Sequence, residues 1–277
     1  MNGKFVVAVD LEGLACVVGA YGRGLAESRD YEFAALQGTR EASAAVNALF
    51  DNGANDVIVW DCHGTGVNLK YGMLDKRVRI AIGAGSRVRF PGMDSSFDGV
   101  LFIGYHAYDV PKATLAHVYS SSTFTSHRIN GKPVGELQLD AAIAGKRGVK
   151  TMFVSSDDIC VAQAAESFPW AETVVTKEAL AWNSCISRHP DAVCDDIYAA
   201  VTRACGRLGE MQVFTLPKEF ELSVSYKRIE YAQGCNLHNP DGTPFEWVDA
   251  YTRKGILAEE TQRQTNGEVG AATQRDA

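Results

Sequence analysis

The sequence predicts an α/β fold with a mainly parallel central sheet flanked by helices, together with a smaller C-terminal portion. Three observations support this prediction. Short apolar runs of strand length recur from residue 4 to residue 176, and stretches with helical periodicity separate them. Residues 4–61 contain a strand, a helix and a second strand, a unit that produces parallel strands with a right-handed crossover. Regular alternation of strands with helices is typical of α/β proteins.

The first half of the chain opens on two buried strands. Residues 4–10 are a continuous apolar run that ends in an acid, as expected for a strand covered on both faces. Residues 28–50 place their apolar side chains on one helical face, and Gly53 provides a stop. Residues 56–61 form the second strand. Two further strands are predicted, at residues 77–83 and 100–105.

The second half continues the alternation. Residues 128–134 are predicted to be extended and to turn at an Asn-Gly pair. Residues 219–226 alternate polar with apolar side chains, which predicts a half-exposed edge strand. The remaining predicted elements are helices at residues 136–144, 158–167 (capped by Asp157 or Asp158) and 189–209, and strands at residues 151–155 and 173–176.

The balance of residue types is that of an ordinary soluble globular protein. Hydrophobic residues make up 46% and charged residues 22% of the 277 residues, which argues against a disordered chain. No apolar run approaches the roughly 18 residues that a membrane helix needs. The formal net charge of −7 gives no electrostatic footprint for nucleic acid or anionic lipid. Neither is therefore expected as a partner.

The cysteines and the N-terminus predict a cytoplasmic location. The 7 cysteines are scattered without a C-x-x-C pair, so neither a zinc knuckle nor a disulfide framework is indicated. The opening residues Met-Asn-Gly-Lys lead directly into an apolar strand, without the apolar segment of a signal peptide. Unpaired cysteines are typical of a reducing compartment.

Polar side chains collect where the predicted strands end, which is where sites form in parallel α/β sheets. Asp10 and Glu12 stand at positions i and i+2 of an extended segment and project to the same side. Two carboxylates so placed repel each other unless a cation or proton lies between them. His63, His106 and Glu136 stand at three other element ends. Histidines combined with carboxylates suit divalent metals, with zinc as the leading candidate.

This donor set is large enough for two ions if one carboxylate bridges them. Asp10 is the natural bridge, because its side chain is short and glycine-rich loops flank it. A two-metal pair holds a hydroxide and polarises a carbonyl, which is hydrolase chemistry. His117 is spare in this count and could act as an acid, a base or a nucleophile.

Four motifs follow one another along residues 10–136. They are Asp-Leu-Glu-Gly (10–13), Asp-Cys-His-Gly (61–64, with Asn68 following), Gly-Tyr-His-Ala (104–107) and Asn-Gly-Lys-Pro-Val-Gly-Glu (130–136). Together they resemble the D-aminopeptidase family of dinuclear zinc peptidases. The spacing from His106 to His117 also suits the catalytic histidine of that family. The resemblance covers roughly residues 4–190.

The resemblance implies both a ligand set and an activity. His117 would be the catalytic histidine, described as a nucleophile in the family, although a general acid/base role is physically as reasonable. Family members cleave an N-terminal D-residue from short peptides and assemble into ring-shaped homo-oligomers. A small peptide or amide substrate and a homo-oligomer, with a ring as one form, are therefore expected. The implied ligands of two zinc ions per chain are Asp10, Glu12, His63, His106 and Glu136.

The chain also departs from the family pattern. Ala116 and Val118 flank His117 where the family has an acid and a threonine, and Cys62 replaces a serine. Ser-Ser-Asp-Asp at 155–158 replaces a Gly-Asp run. These differences leave open a substrate other than a D-alanyl peptide. Candidate substrate contacts are Asn68, Asp157, Lys177 and Asn183, with a surface lysine and a turn asparagine as the alternatives for the last two.

Two other functions compete with this interpretation. A cysteine amidohydrolase of the isochorismatase-like kind would use Asp10, a lysine and Cys160, whose predicted place at a helix N-terminus would lower the pKa of the thiol. It leaves the other predicted ligands without a role. A non-catalytic phosphate- or nucleotide-binding protein would use the glycine-rich loop at residues 19–24, which lacks the G-x-G-x-x-G order.

The metal-dependent amide hydrolase therefore accounts for most of these residues. In this interpretation residues 1–190 form the metal-binding catalytic core. Residues 191–258 form a helix and strands that pack on the core or make oligomer contacts. Residues 259–277 are a polar tail, expected to be disordered or arm-like.

Overall fold

The computed structural model describes residues 3–21, 24–25, 30–83 and 89–258, which form two β-sheets and five α-helices. Among these residues, no helix combines the length and the apolar character that a membrane span requires. The predicted polar tail, the predicted helix start at residue 28 and part of the glycine-rich loop at residues 19–24 lie outside the described residues.

Most of the predicted elements are present, and their bounds are as follows. The strands are β1 (Lys4–Val9), β2 (Asp56–Asp61), β3 (Arg79–Ala81), β4 (Gly99–Ile103), β5 (Phe124–Ile129), β6 (Lys132–Val134), β7 (Lys150–Asp157), β8 (Glu172–Ala181), β9 (Ser184–Ser187), β10 (Glu219–Tyr226), β11 (Glu246–Trp247) and β12 (Thr252–Ala258). The helices are α1 (Tyr31–Asp51), α2 (Glu136–Gly145), α3 (Asp158–Ser167), α4 (Pro190–Gly206) and α5 (Ile229–Gln233), with a 3₁₀ turn at Tyr71–Met73.

The central sheet has the strand order β3-β2-β1-β4-β7-β8-β9. Its strands are parallel from β3 to β8, and only β9 pairs antiparallel, which confirms the predicted mainly parallel sheet. Both faces are covered, because Phe5, Val7 and Val9 of β1 pack with α1 and α4. Val6 and Ala8 of the same strand pack on the other side with α2 and α3. The run of apolar residues in β1 therefore reflects burial on both faces.

A second sheet is antiparallel and has the order β11-β12-β10-β5-β6. The Asn-Gly turn is confirmed, since Asn130 and Gly131 have φ values of 50° and 78° and connect β5 to β6. The prediction that residues 219–226 form an edge strand is wrong. This strand, β10, lies between β12 and β5 and pairs with both. Its alternating pattern indicates that one face of the strand is exposed. A central strand of a sheet with one exposed face has the same pattern as an edge strand, so the pattern does not distinguish the two.

Other differences are matters of extent. The strand predicted at residues 77–83 is only three residues long, because β3 is an edge strand with largely exposed side chains. The helix predicted at residues 189–209 begins at Pro190, whose fixed φ suits a first helical turn. Strands β9, β11 and β12 and helix α5 were not predicted. The division into segments at residues 190 and 258 stays a prediction, although β10 does pair with the earlier strand β5, and β12 pairs with β10.

One buried histidine of the second sheet predicts a pH dependence of stability. His127 on β5 is 1% exposed, and neither ring nitrogen has a hydrogen-bond partner within the described part of the chain. Its ring packs against Phe124 and Tyr119. Burial lowers the pKa of His127 from 6.5 to about 4. The unfolded chain therefore binds this proton more readily than the folded chain.

The free energy of unfolding is therefore unaffected by this group above pH 6.5. It falls by up to about 3 kcal/mol as the pH drops from 6.5 towards 4, because the unfolded chain takes up the proton first. We expect His127→Leu to remove this part of the pH dependence in denaturant titrations at pH 7, 6, 5 and 4.5. The same change at exposed His238 serves as the control. If the free energy of unfolding of His127→Leu fell with pH as steeply as that of the unmodified protein, His127 would not be the source of this pH dependence.

Candidate metal centre

The loop after β1 carries the first two predicted ligands, Asp10 and Glu12. It runs beside the end of β4, because Asp10 N donates to Ile103 O at 2.8 Å and Gly13 N donates to Gly104 O at 2.7 Å. This approach requires glycine at position 104, where φ is +69° and a Cβ would lie 2.3 Å from Asp10 O. The two loops therefore present their side chains at one edge of the sheet.

The loop after β2 carries His63 and is held by a buried carboxylate. Asp61 accepts hydrogen bonds from Asn68 N at 2.7 Å and from Leu69 N at 2.9 Å. The Asn68 amide nitrogen donates to Asp61 Oδ1 at 2.5 Å and to His63 O at 2.7 Å, and its oxygen accepts from the Tyr31 hydroxyl. Asn68 is thus buried beneath His63, where it supports the loop, and this placement does not favour the predicted substrate contact.

His106 follows β4, and Glu136 is the first residue of α2. His106 Nδ1 lies 3.1 Å from Ala107 O, and a donated proton at that nitrogen leaves the lone pair of Nε2 available to a metal ion. Nε2 lies 3.3 Å from Glu136 Oε2 and 3.7 Å from Asp10 Oδ2. Glu136 Oε2 also accepts a hydrogen bond from Tyr119 N at 2.7 Å. Backbone contacts therefore orient both side chains towards the loop that follows β1.

Two groups of potential ligands lie side by side at this edge. Within each group the ligating atoms are within 4.8 Å of one another. The 3.7 Å distance between Asp10 and His106 joins the groups, so Asp10 has the placement expected of a bridging carboxylate. The first group consists of Asp10, Glu12 and His63, and the second of His106, His117 and Glu136.

The donor set fits a divalent cation. Asp10 Oδ2, Glu12 Oε2 and His63 Nδ1 are buried, and within the described residues they have no hydrogen-bond partner. Burial raises the pKa of Asp10 well above its ordinary value, and the charges of Glu12 and Glu136 raise it further. Burial lowers the pKa of His63, but Glu12 outweighs this effect and raises it to about 9. A bound cation would therefore stabilise these buried carboxylates. Histidine nitrogen together with carboxylate oxygen is a combination that binds zinc.

His117 packs face to face on His106, with ring centroids 3.8 Å apart and planes inclined by 15°. Its Nδ1 lies 2.7 Å from Leu115 O, which can only accept a hydrogen bond, so the proton belongs on Nδ1 and Nε2 keeps its lone pair. Burial lowers the pKa of His117 to about 4, and the neighbouring His106 contributes to this shift. The imidazole is therefore neutral near pH 7 and able to accept a proton.

Sequence reasoning missed Trp182, which holds the loop that carries His117. Leu115 N donates to Trp182 O at 2.7 Å, and the Trp182 indole donates to Ala116 O at 3.2 Å. These contacts stabilise Leu115 at a positive φ of 54°. No local pattern marks Trp182, since its partner Ala116 lies 66 positions away in the chain.

The remaining candidate substrate contacts have structural surroundings. Asp157 caps α3, as predicted, by accepting from Cys160 N at 2.8 Å, and it also accepts from Thr114 N at 3.0 Å. Lys177 is fully buried, so the alternative of a surface lysine is wrong. Asn183 is half-buried in the turn between β8 and β9, beside Trp182. These placements do not favour direct substrate binding by Asp157 or Lys177.

The competing cysteine mechanism is not favoured. Cys160 lies in the first turn of α3, as predicted, but it is only 1% exposed. Burial raises the pKa of its thiol, the opposite of the expected lowering by the helix N-terminus. A buried, protonated thiol is a poor nucleophile. Part of the loop invoked for phosphate binding lies outside the described residues.

Comparison with known proteins places the sequence and the fold in one family. The sequence profile of the D-aminopeptidase family matches residues 4–241. A D-aminopeptidase of Bacillus subtilis (strain 168) is 28% identical over 240 residues, covering 84% of this chain and 85% of the relative. The solved structure of the zinc-dependent D-aminopeptidase DppA from Bacillus subtilis, described as a self-compartmentalizing protease, is 25% identical. The two folds superpose with a TM-score of 0.86 over 99% of each chain. This chain belongs to the D-aminopeptidase family of peptidases.

Proposed function

We propose that this protein hydrolyses the amide bond that follows the N-terminal residue of a small peptide or a related amide, with D-residues as the preferred class. The proposed ligands of two zinc ions are Asp10, Glu12, His63, His106 and Glu136. The observation that carries the proposal is the convergence of two buried ligand groups linked by Asp10. The similarity to a zinc-dependent D-aminopeptidase supports zinc as the metal and amide hydrolysis as the reaction.

His117 and the Leu115 carbonyl have separate roles beside the metal centre. When bound, zinc supplies Lewis-acid chemistry that polarises the scissile carbonyl and acidifies water. His117 Nε2 accepts a proton from the attacking group and returns it to the leaving amine, while the Leu115 carbonyl keeps the ring in the required tautomer. Direct attack by His117 is the alternative, and it would leave an acyl-imidazole that mass spectrometry of a rapidly quenched reaction detects.

We also propose that copies of the chain assemble into a closed homo-oligomer, with a ring as one form. The support is the relative that is described as self-compartmentalizing. Light scattering of the purified protein measures the number of chains directly. The proposed cytoplasmic location is consistent with the cysteines, all of which are unpaired.

The proposed activity predicts a pattern of inhibition and stereochemical preference. We expect D-aminoacyl amides and short D-peptides to be cleaved at least about tenfold faster than their L-counterparts, equivalent to 1.4 kcal/mol in the barrier. A chelator should abolish cleavage and added zinc should restore it. Iodoacetamide should leave most of the activity, because Cys160 is buried.

Two outcomes of these assays would contradict the proposal. One is the absence of cleavage of either stereoisomer after zinc has been restored. The other is activity that survives chelation but is lost on alkylation, which would transfer the chemistry to a cysteine. Equal rates for D- and L-substrates would keep the amide hydrolase but overturn the proposed preference.

A further inference from the structure

Lys177 on β8 is a fully buried lysine whose ammonium group faces backbone oxygens. Its Nζ donates to Glu12 O at 2.5 Å, to Val17 O at 2.6 Å and to Leu14 O at 3.0 Å. An ammonium group has three protons, so these contacts use its full donor capacity. Removing a charge from water is costly unless its partners are well placed. A buried lysine with this cost is expected to have a specific structural role.

All three acceptors belong to the loop of residues 12–17, which follows Asp10 and begins with the ligand Glu12. The loop makes further contacts with neighbouring elements. The Thr176 hydroxyl donates to Gly13 O at 2.6 Å, and Ala15 N donates to Glu41 Oε1 at 3.0 Å. The loop thus turns successive carbonyl oxygens inward, towards β8, while the Glu12 carboxylate faces His63 at 3.0 Å.

We infer that Lys177, assisted by Thr176, is a positioning residue that holds the loop of residues 12–17 so that the Glu12 carboxylate points into the metal centre before metal binds. The inference deepens the proposed two-zinc function and rests on it. Carbonyl oxygens directed at one point repel one another, and the ammonium group of Lys177 offsets that repulsion. Without it the carbonyls would turn towards other donors, and the backbone of Glu12 would turn with them.

Residues that orient metal ligands in this way contribute to the affinity for the metal as well as to the geometry of the ligands. Substitution of such outer partners costs about 10- to 100-fold in metal affinity. Lys177→Met keeps most of the side-chain length and removes the charge. We expect its zinc Kd, measured by competition with a chromophoric chelator on the full-length protein, to rise by about tenfold or more.

Arg253 on β12 offers a matched control. It is also buried, and its guanidinium donates to Phe245 O at 2.9 Å, just before β11, and to Ala232 O at 3.2 Å in α5. We expect Arg253→Met to lower the midpoint of thermal unfolding and to leave the zinc Kd unchanged. If a general loss of stability were enough to weaken zinc binding, the zinc Kd would rise in both variants. If Lys177 positions Glu12, the zinc Kd rises only in Lys177→Met.

A gentler pair of variants decides the question if Lys177→Met does not fold. Thr176→Val keeps the side-chain shape without the hydroxyl, and Thr176→Ser keeps the hydroxyl. We expect Thr176→Val to raise the zinc Kd several-fold and Thr176→Ser to remain close to the unmodified protein. A Kd unchanged in Thr176→Val, and in Lys177→Met where that variant folds, would overturn the positioning role alone. An unmodified protein that binds no zinc would overturn the proposed function as well.

Discussion

His117→Ala should retain the zinc of the unmodified protein while kcat falls by about 10³-fold, within the range of general acid–base catalysis. The reason is the geometry around the ring. Nδ1 is engaged by Leu115 O at 2.7 Å, so Nε2 is the atom that exchanges protons with the reacting groups. The loop around His117 is also held by Trp182 and by a bond from His117 N to Ala107 O at 3.2 Å. These contacts do not depend on the imidazole, so the loop should keep its shape.

Zinc content is the decisive companion measurement, because His117 also lies within ligand distance of His106 and Glu136. Loss of one zinc ion from His117→Ala would show that this histidine is a ligand and would contradict its catalytic role. His238→Ala, which removes an exposed histidine, should keep both zinc and activity. Equal kcat for His117→Ala and the unmodified protein would also overturn the role.

His63→Ala and His106→Ala should each lose bound zinc, and their activity should fall to the level of the chelated enzyme. In both variants a carboxylate that now faces an imidazole nitrogen, at 3.0 Å for Glu12 and 3.3 Å for Glu136, loses that partner. The remaining carboxylates are buried, so the cost of their mutual repulsion is not relieved by solvent. Fewer donors then compete with water for the cation.

Elemental analysis of dialysed variants, paired with activity assays, checks this prediction. His127→Leu is the matched control, because it removes a buried histidine that lies in neither ligand group. We expect it to keep full zinc occupancy. A His63→Ala or His106→Ala protein with undiminished zinc would remove that residue from the proposed ligand set.

The convergence of the candidate ligands at one edge could be predicted because parallel strands share a direction. Strands β2, β1 and β4 are neighbours in the sheet, and each ends in a short motif with an acid or a histidine. Their carboxyl ends must therefore meet, whatever the details of the loops. The glycine at position 104 belongs to the same motifs and permits the close approach of the loop after β1.

The contacts that orient these groups could not be predicted in the same way. Lys177 reaches Glu12 across 165 positions of the chain, and Trp182 reaches Ala116 across 66. Such contacts depend on which strands become neighbours, and no local pattern encodes that. The second sheet escaped prediction for the same reason, because β10 pairs with a strand formed almost a hundred residues earlier. Its alternation indicated which side chains are buried but not the strand's partners.

The decisive measurement for the two-zinc centre is the number of zinc ions per chain in the gently purified, untagged protein. We expect two zinc ions per chain, since two groups of candidate ligands meet at Asp10. A protein that contains no zinc, and gains neither metal nor amide hydrolysis when zinc is added, would contradict this expectation.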